Sequence, residues 1–138
     1  MSSTPEEGIR RTLAQYAQLC DEGRFAEFSD LFEPDARFHV MGQTQVGRAA
    51  IEEWIAASQG PEARGKHAML SSVIDLAEDG RTARAWTDYL FVDQRQRVTS
   101  VGRYHDELTA SQDGRWRFTL REIVFMGGAP ERAHPPPG

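Results

Sequence analysis

The chain has 138 residues, of which 39% are hydrophobic, and this length is enough for one domain with a core of its own. Its net charge of -5 and its arginines interleaved with acids leave no broad basic surface, which argues against a nucleic-acid partner. Its apolar runs are far shorter than the ~20 residues that cross a bilayer, and its N-terminus lacks a signal-peptide pattern, so we expect a cytoplasmic protein without membrane contact.

A first helix is predicted in the segment STPEEGIRRTLAQYAQLCDEGRF. Thr4 is a suitable N-cap, Pro5 suits the first helical position, and Glu7 completes a capping box. Apolar residues recur at helical spacing on one side: Ile9, Leu13, Tyr16, Ala17 and Cys20. The helix therefore presents one face to a core, and Gly23 is a natural stop for it.

Two shorter helices and a strand are predicted between residues 25 and 60. The second helix ends at Pro34, because a proline does not continue a helix, and DARFHVMG follows it as a first strand. The third helix is VGRAAIEEWIAAS, which Gly60 and Pro61 stop. The apolar sides of these two helices carry Phe25, Phe28, Leu31 and Phe32, and Ile51, Trp54, Ile55 and Ser58.

From residue 66 onward the apolar pattern changes to the period of strands. One pair of strands is joined at Asp79-Gly80 and a second pair at Asp113-Gly114, and both dipeptides are typical of hairpin turns. This order predicts an α+β fold in which three N-terminal helices pack on the concave side of a cone-shaped, curved antiparallel sheet. A pocket is expected between the two layers.

One domain boundary is indicated near residue 128. The segment APERAHPPPG has the proline content of an unpacked chain, so residues 129–138 are predicted to form a flexible tail. Residues 1–128 then make up a single domain without an internal repeat.

Five segments carry a resemblance to a known family: LFEPDARF with its following glycine, VGRAAIEEW, the histidine of GKHAML, GRYHDEL and DGRWRFTLRE. Together with the order of elements, they resemble SnoaL-like domains of the nuclear transport factor 2-like superfamily, over roughly residues 6–126. The resemblance implies the cone-shaped fold, but this scaffold hosts dehydratases, isomerases, cyclases, dioxygenase small subunits and binding proteins. By its site residues, the chain is most similar to the branch of scytalone dehydratases and bile-acid dehydratases.

Three residues match the catalytic positions of that branch, which carries a tyrosine and an aspartate on its first helix and a histidine at the start of the strand after its third helix. Tyr16, Asp21 and His67 occupy these places, so the resemblance implies a catalytic role for them. Two of them also have a structural interpretation, since Tyr16 lies within the apolar side of its helix and Asp21 is solvated if it points outward. An Asp21 that points into the cone needs a partner, for which His67 is the obvious choice.

His105 is a fourth candidate catalytic residue. If it faces the cone, it resembles the second histidine of scytalone dehydratases. On a strand it faces away from its neighbours Tyr104 and Asp106, so it lies on the surface if those two face the cone. The sequence alone leaves both arrangements open.

Four more residues are candidates for binding the substrate. Asp88 and Arg121 fall near an auxiliary acid and an arginine of the bile-acid dehydratases, and the alternative for either is a surface ion pair. Trp54 and Trp86 are expected to contribute to the core or to the lining of the pocket.

Several other chemistries fit the sequence less well. No two histidines lie at metal-ligand spacing, so we expect neither a metal site nor any cofactor. Cys20 lies on the buried side of its helix and is interpreted as a core residue; as the one cysteine, it fits a reducing compartment. Ketosteroid isomerases carry a catalytic aspartate in the first strand, close to the position that Val40 occupies here.

The residues and the resemblance together indicate a cofactor-independent dehydratase, a lyase that acts on a hydrophobic, hydroxylated ring compound such as a polyketide or steroid. An isomerase or polyketide cyclase on the same scaffold is one alternative, and a protein that only binds a small ligand or acts as an accessory subunit is the other. A homodimer formed through the sheet is expected, because relatives commonly pair in this way.

Overall fold

The computed structural model of the chain describes residues 3–127. The predicted tail, residues 129–138, lies outside the described residues. The elements run in the order α1 (Pro5–Asp21), α2 (Phe25–Ser29), β1 (Phe32–Val40), β2 (Gln43–Val46), α3 (Arg48–Ser58), β3 (Lys66–Leu76), β4 (Thr82–Val92), β5 (Val98–Ala110) and β6 (Trp116–Phe125). None of these helices is both long enough and apolar enough to span a membrane.

Local sequence signals set both ends of α1. The predicted capping box is confirmed: the Glu7 N–H donates to Thr4 Oγ1 at 3.2 Å, and the Thr4 N–H donates to Glu7 Oε2 at 3.0 Å. At the other end Gly23 has a φ of 72°, which glycine adopts without steric cost. The Arg24 N–H then donates to the Leu19 carbonyl at 2.9 Å, which closes the last turn.

The second helix does not extend to Pro34 as predicted, because the chain enters strand β1 at Phe32. The carbonyl of Leu31 already accepts a hydrogen bond from the Phe118 N–H at 2.9 Å, so the chain is paired with β6 before it reaches the proline. Pro34 lies where the pairing of β1 with β6 shifts register, between Phe32 and Arg37. Such an irregularity tolerates a residue without an N–H.

The sheet has six strands in the order β2-β1-β6-β5-β4-β3. The two predicted hairpins are confirmed as β3–β4 and β5–β6, and β2 is an unpredicted strand that pairs with β1 through a turn at Met41 and Gly42. The antiparallel sheet that we predicted needs one correction, since β1 and β6 run parallel. A parallel pair needs a long crossover, and the chain from α3 to β5 provides it.

The sheet is curved and unclosed, and the α+β fold with helices on its concave side is as predicted. Helix α1 packs against β3 and β6, and α3 packs against β1 and β2. The core between helices and sheet is rich in aromatic rings, and its fully buried apolar members include Ile9, Phe28, Phe32, Phe38, Ile51 and Phe118. Each large side chain buried in this way stabilises the fold by about 1.5–3 kcal/mol, which fixes the walls around the site.

Candidate active site

Asp21 and His67 form a hydrogen-bonded pair where α1 meets β3. Asp21 is the last residue of α1, and His67 is the second residue of β3. The Asp21 carboxylate accepts a hydrogen bond from His67 Nδ1 at 2.7 Å and another from the His67 backbone N–H at 3.0 Å. Both side chains are largely buried: that of His67 is 10% exposed and that of Asp21 is 4% exposed. The structure thus brings together the two residues that the sequence suggested as partners.

The contact with Asp21 determines which ring nitrogen of His67 carries the proton. An ionised carboxylate can only accept, so Nδ1 holds the hydrogen and Nε2 of the neutral ring keeps a free lone pair. The same carboxylate stabilises the imidazolium that forms when Nε2 takes up a proton. Position 65, just before β3, requires a glycine, because a Cβ there would collide with the Val92 carbonyl. Gly65 therefore lets the chain enter β3 directly before His67.

A pocket of about 280 Å³ lies between the helices and the concave side of the sheet, and both Tyr16 and His67 line it. Most of its wall is apolar and includes Val40, Trp54, Ile55, Phe91, Ile123 and Phe125. A larger depression of about 710 Å³ lies elsewhere on the protein and is lined mainly by polar side chains at the far ends of the strands. Only the smaller pocket combines an apolar wall with the histidine and the tyrosine.

Tyr16 is almost fully buried, and its ring centroid lies 6.4 Å from that of His67. Burial raises the pKa of its hydroxyl well above the usual value, and the positive charge of Arg121 opposes this shift. The hydroxyl is therefore a protonated donor at neutral pH. Within residues 3–127 it makes no hydrogen bond to another protein group, so it is available to a ligand.

Four polar residues of the pocket were missed in the sequence: Gln59, Tyr89, Ser100 and Tyr104. Gln59 Oε1 is buried without a hydrogen-bond partner among the described residues. The hydroxyls of Tyr89 and Ser100 bond to each other at 3.0 Å. One feature of the sequence pointed to Tyr104, which shares a strand face with Asp106. Gln59 directly follows the last residue of α3, and no sequence pattern marks it as a pocket residue.

Three of the candidates lie on the opposite, outer face of the sheet. His105 does not face the cone, because its strand neighbour Tyr104 is buried in the core and successive side chains alternate. Trp86 pairs with His105 across β4 and β5 and shares this outer face. Asp88 accepts hydrogen bonds from Arg103 at 2.6 and 3.2 Å in a partly exposed ion pair. For His105 and Asp88 the structure thus has the alternative that the sequence left open, a place on the outer face and a surface ion pair, and Trp86 does not line the pocket.

Arg121 lies beneath the pocket and is not among the described residues that line it; it belongs to an ion pair, which is buried and not on the surface as the sequence alternative had it. Arg121 and Asp106 form a fully buried ion pair, with the two guanidinium nitrogens Nε and Nη2 donating at 2.7 and 2.9 Å. Burial raises the pKa of the Asp106 carboxyl, and the adjacent guanidinium opposes that shift. The two short parallel hydrogen bonds indicate that the pair is charged.

The sulfur of Cys20, a carboxylate oxygen of Asp21 and a ring nitrogen of His67 lie within 4.8 Å of one another, a spacing that could hold a metal ion. However, the Asp21 carboxylate already accepts two hydrogen bonds from His67. Burial also raises the pKa of the Cys20 thiol to about 12, so the thiolate that a metal needs is scarce at neutral pH. The cluster therefore favours a hydrogen-bonded pair over a metal site.

A curved open sheet with helices on its concave side and a pocket between them defines the cystatin-like, or nuclear transport factor 2-like, class of α+β proteins. The sequence profile of the SnoaL-like domain matches residues 2–122, so the chain belongs to this family, as the resemblance implied. No curated protein sequence matches the chain.

Three similar solved structures illustrate the likeness. A protein of unknown function with a cystatin-like fold from Nostoc punctiforme is 16% identical with a TM-score of 0.80, and the match covers 91% of this chain and 94% of that one. ActVI-ORFA from Streptomyces coelicolor is 18% identical with a TM-score of 0.76, covering 88% and 96%. The "Putative Scytalone Dehydratase" from Novosphingobium aromaticivorans is 23% identical with a TM-score of 0.75, covering 88% and 83%. At these identities the likeness establishes the fold.

Proposed function

We propose that this protein is a cofactor-independent dehydratase that acts on a hydrophobic, hydroxylated ring compound such as a polyketide or steroid. The observation that carries the proposal is the 2.7 Å hydrogen bond between Asp21 and His67 at the wall of an apolar pocket that also contains Tyr16. A structure named for scytalone dehydratase among those of similar fold supports the choice of dehydration.

In the proposed reaction His67 Nε2 removes a proton from the carbon next to a carbonyl group of the substrate. Tyr16 donates a hydrogen bond to the carbonyl oxygen as that oxygen becomes an enolate. The enolate then re-forms the carbonyl and expels the β-hydroxyl group, which takes the proton back from the His67 imidazolium and leaves as water. Asp21 keeps the imidazole oriented and stabilises its charged form between the two proton transfers.

The pocket also indicates the kind of substrate. A volume of about 280 Å³ and a wall of aromatic and aliphatic side chains suit a compact ring compound. Gln59 Oε1 is a buried acceptor that lacks a partner among the described residues, and leaving such a group unsatisfied is costly. A hydroxyl group of the substrate would satisfy it, which agrees with an oxygenated ligand.

An isomerase or cyclase is the second candidate, and one feature of the pocket favours it. Of the described residues that line the pocket, His67 is the only histidine, and none is an aspartate, glutamate, lysine or cysteine, so the pocket has one general acid-base group of these types. One such group is sufficient to move a proton from one carbon to another. In a dehydration the same histidine must also protonate the leaving hydroxyl group.

A panel of β-hydroxy ketones with one to three rings separates these functions. We expect a product lighter than its substrate by one water, detected by mass spectrometry and by the absorbance of the new conjugated enone. A product of unchanged mass would replace the dehydratase by an isomerase or cyclase. Tight binding without turnover of any compound would favour a protein that only binds its ligand.

Replacing Tyr16 by Phe should lower kcat by about tenfold or more and leave KM nearly unchanged. The reason is that the hydroxyl interacts more strongly with the enolate than with the ground-state carbonyl, so its loss affects the transition state. Steady-state kinetics of the purified variant provide the measurement. A rise in KM at constant kcat would instead assign Tyr16 to substrate binding alone.

We also propose that the protein is a homodimer that pairs through the outer face of its sheet, where the apolar side chains of Leu70 and Val73 are exposed. Light scattering at micromolar concentration should give twice the 15.5 kDa mass of one chain. Val73→Arg should shift the protein toward the monomer, because it places a charge in the contact. A mass of one chain for the unmodified protein would refute the dimer.

A further inference from the structure

Tyr104 shares the pocket with Tyr16, and the two rings are packed against each other. Their centroids lie 5.4 Å apart with an angle of 68° between the ring planes. Neither hydroxyl makes a hydrogen bond to any other residue in the part of the chain that the structure describes. Neither hydroxyl oxygen is fully buried, and both residues line the pocket. Each hydroxyl is therefore in contact with the open space of the pocket.

The third tyrosine at the pocket, Tyr89, differs in this respect. Its ring stacks on Tyr104 with the centroids 4.6 Å apart, but its hydroxyl is bonded to Ser100 at 3.0 Å. Tyr16 and Tyr104 are thus the two pocket tyrosines whose hydroxyls make no hydrogen bond to another described residue.

Both rings lie over the guanidinium group of Arg121. Its Cζ atom is 4.1 Å from the centroid of Tyr16 and 3.7 Å from that of Tyr104. Asp106 binds two of the three guanidinium nitrogens, and the third, Nη1, has no hydrogen-bond partner among residues 3–127. A positive charge held beneath two phenol rings in a dry interior strengthens their hydroxyls as donors to an anion.

We propose that Tyr104 is a second catalytic hydroxyl, which donates beside Tyr16 to the one substrate oxygen that becomes negatively charged. The inference rests on the proposed function and deepens it, because it names a second group that stabilises the enolate. Such an oxygen has two lone pairs and can accept from both tyrosines, and the enolate formed at it gains most from two donors.

The test uses 4-nitrophenol, whose phenolate resembles an enolate and alone absorbs visible light. At a mildly acidic pH the unmodified protein should bind the phenolate and raise its absorbance. Tyr104→Phe should weaken phenolate binding by about tenfold or more, as expected for the loss of a hydrogen bond to a charged group. Tyr16→Phe should have a similar effect, and the double variant should bind still more weakly.

Tyr89→Phe is the matched control, because it removes a tyrosine hydroxyl that already has a protein partner. It should weaken phenolate binding less than Tyr104→Phe does. Equal phenolate affinity in Tyr104→Phe and the unmodified protein would overturn the inference, and if Tyr16→Phe still weakened binding, the proposed function would stand. A loss as large in Tyr89→Phe as in Tyr104→Phe would also overturn it, since the effect would then be one of packing.

Discussion

Replacing His67 by Ala should lower turnover by about 10²-fold or more, in line with the loss of a positioned general base. The fold should survive, because the Asp21 carboxylate still accepts the backbone N–H of residue 67 and the lost ring borders a pocket. Turnover is measured on any substrate that the protein converts, and circular dichroism and thermal melting verify the fold. Full activity of this variant would remove His67 from the mechanism.

Asp21→Asn should be almost as severe, although it preserves the shape of the side chain. The amide can place its NH2 group against Nδ1, which moves the ring proton to Nε2 and removes the lone pair that acts as base. The double variant of Asp21 and His67 should be little worse than His67→Ala, because residues that act as a unit are not additive. His39→Ala is the control: this histidine bonds Thr44 on β2, outside the pocket, and its loss should leave turnover unchanged.

Arg121→Met should lower the free energy of unfolding by about 3–5 kcal/mol, since it leaves the buried Asp106 carboxylate without its partner. Urea denaturation measures this loss. Adding Asp106→Leu to the same protein should recover much of it, because a buried ion pair replaced by apolar residues of similar volume often has little net cost.

A second cross-strand pair provides the control for this prediction. Arg103 Nε lies 2.6 Å from Asp88 Oδ1, but the two side chains are 29% and 39% exposed. Arg103→Met should therefore cost no more than about 1 kcal/mol, the range of surface ion pairs. Equal costs for Arg121→Met and Arg103→Met would contradict the view that burial makes the pair with Asp106 important.

The parts of the fold with strong local signals were predictable from the sequence. The capping box of Thr4 and Glu7 marks the start of α1, and the two Asp-Gly dipeptides mark the hairpins. The region from Leu31 to Pro34 was not, because a buried apolar pair fits a helix or a strand equally well and only pairing with β6 decides between them. Strand β2 has four residues, of which three are polar and most are exposed, and it carries no apolar alternation.

The site shows the same division between local and tertiary information. Asp21 and His67 were identified by resemblance, and their contact depends on how α1 meets β3. The alternation of β5 established that His105 and Tyr104 face opposite ways, but which of them faces the core depends on the burial of the whole sheet. For this reason the sequence left open whether His105 or Tyr104 faces the cone.

The central claim is that the pair of Asp21 and His67 acts as a base toward a carbon next to a carbonyl group. Its most direct measurement is the incorporation of deuterium from D2O at that carbon in ketones with one or two rings, followed by NMR. The unmodified protein should accelerate the exchange for those ketones that fit the pocket, and His67→Ala should bring the rate back to that of the buffer. Exchange at the same rate with the unmodified protein and with His67→Ala would contradict the claim.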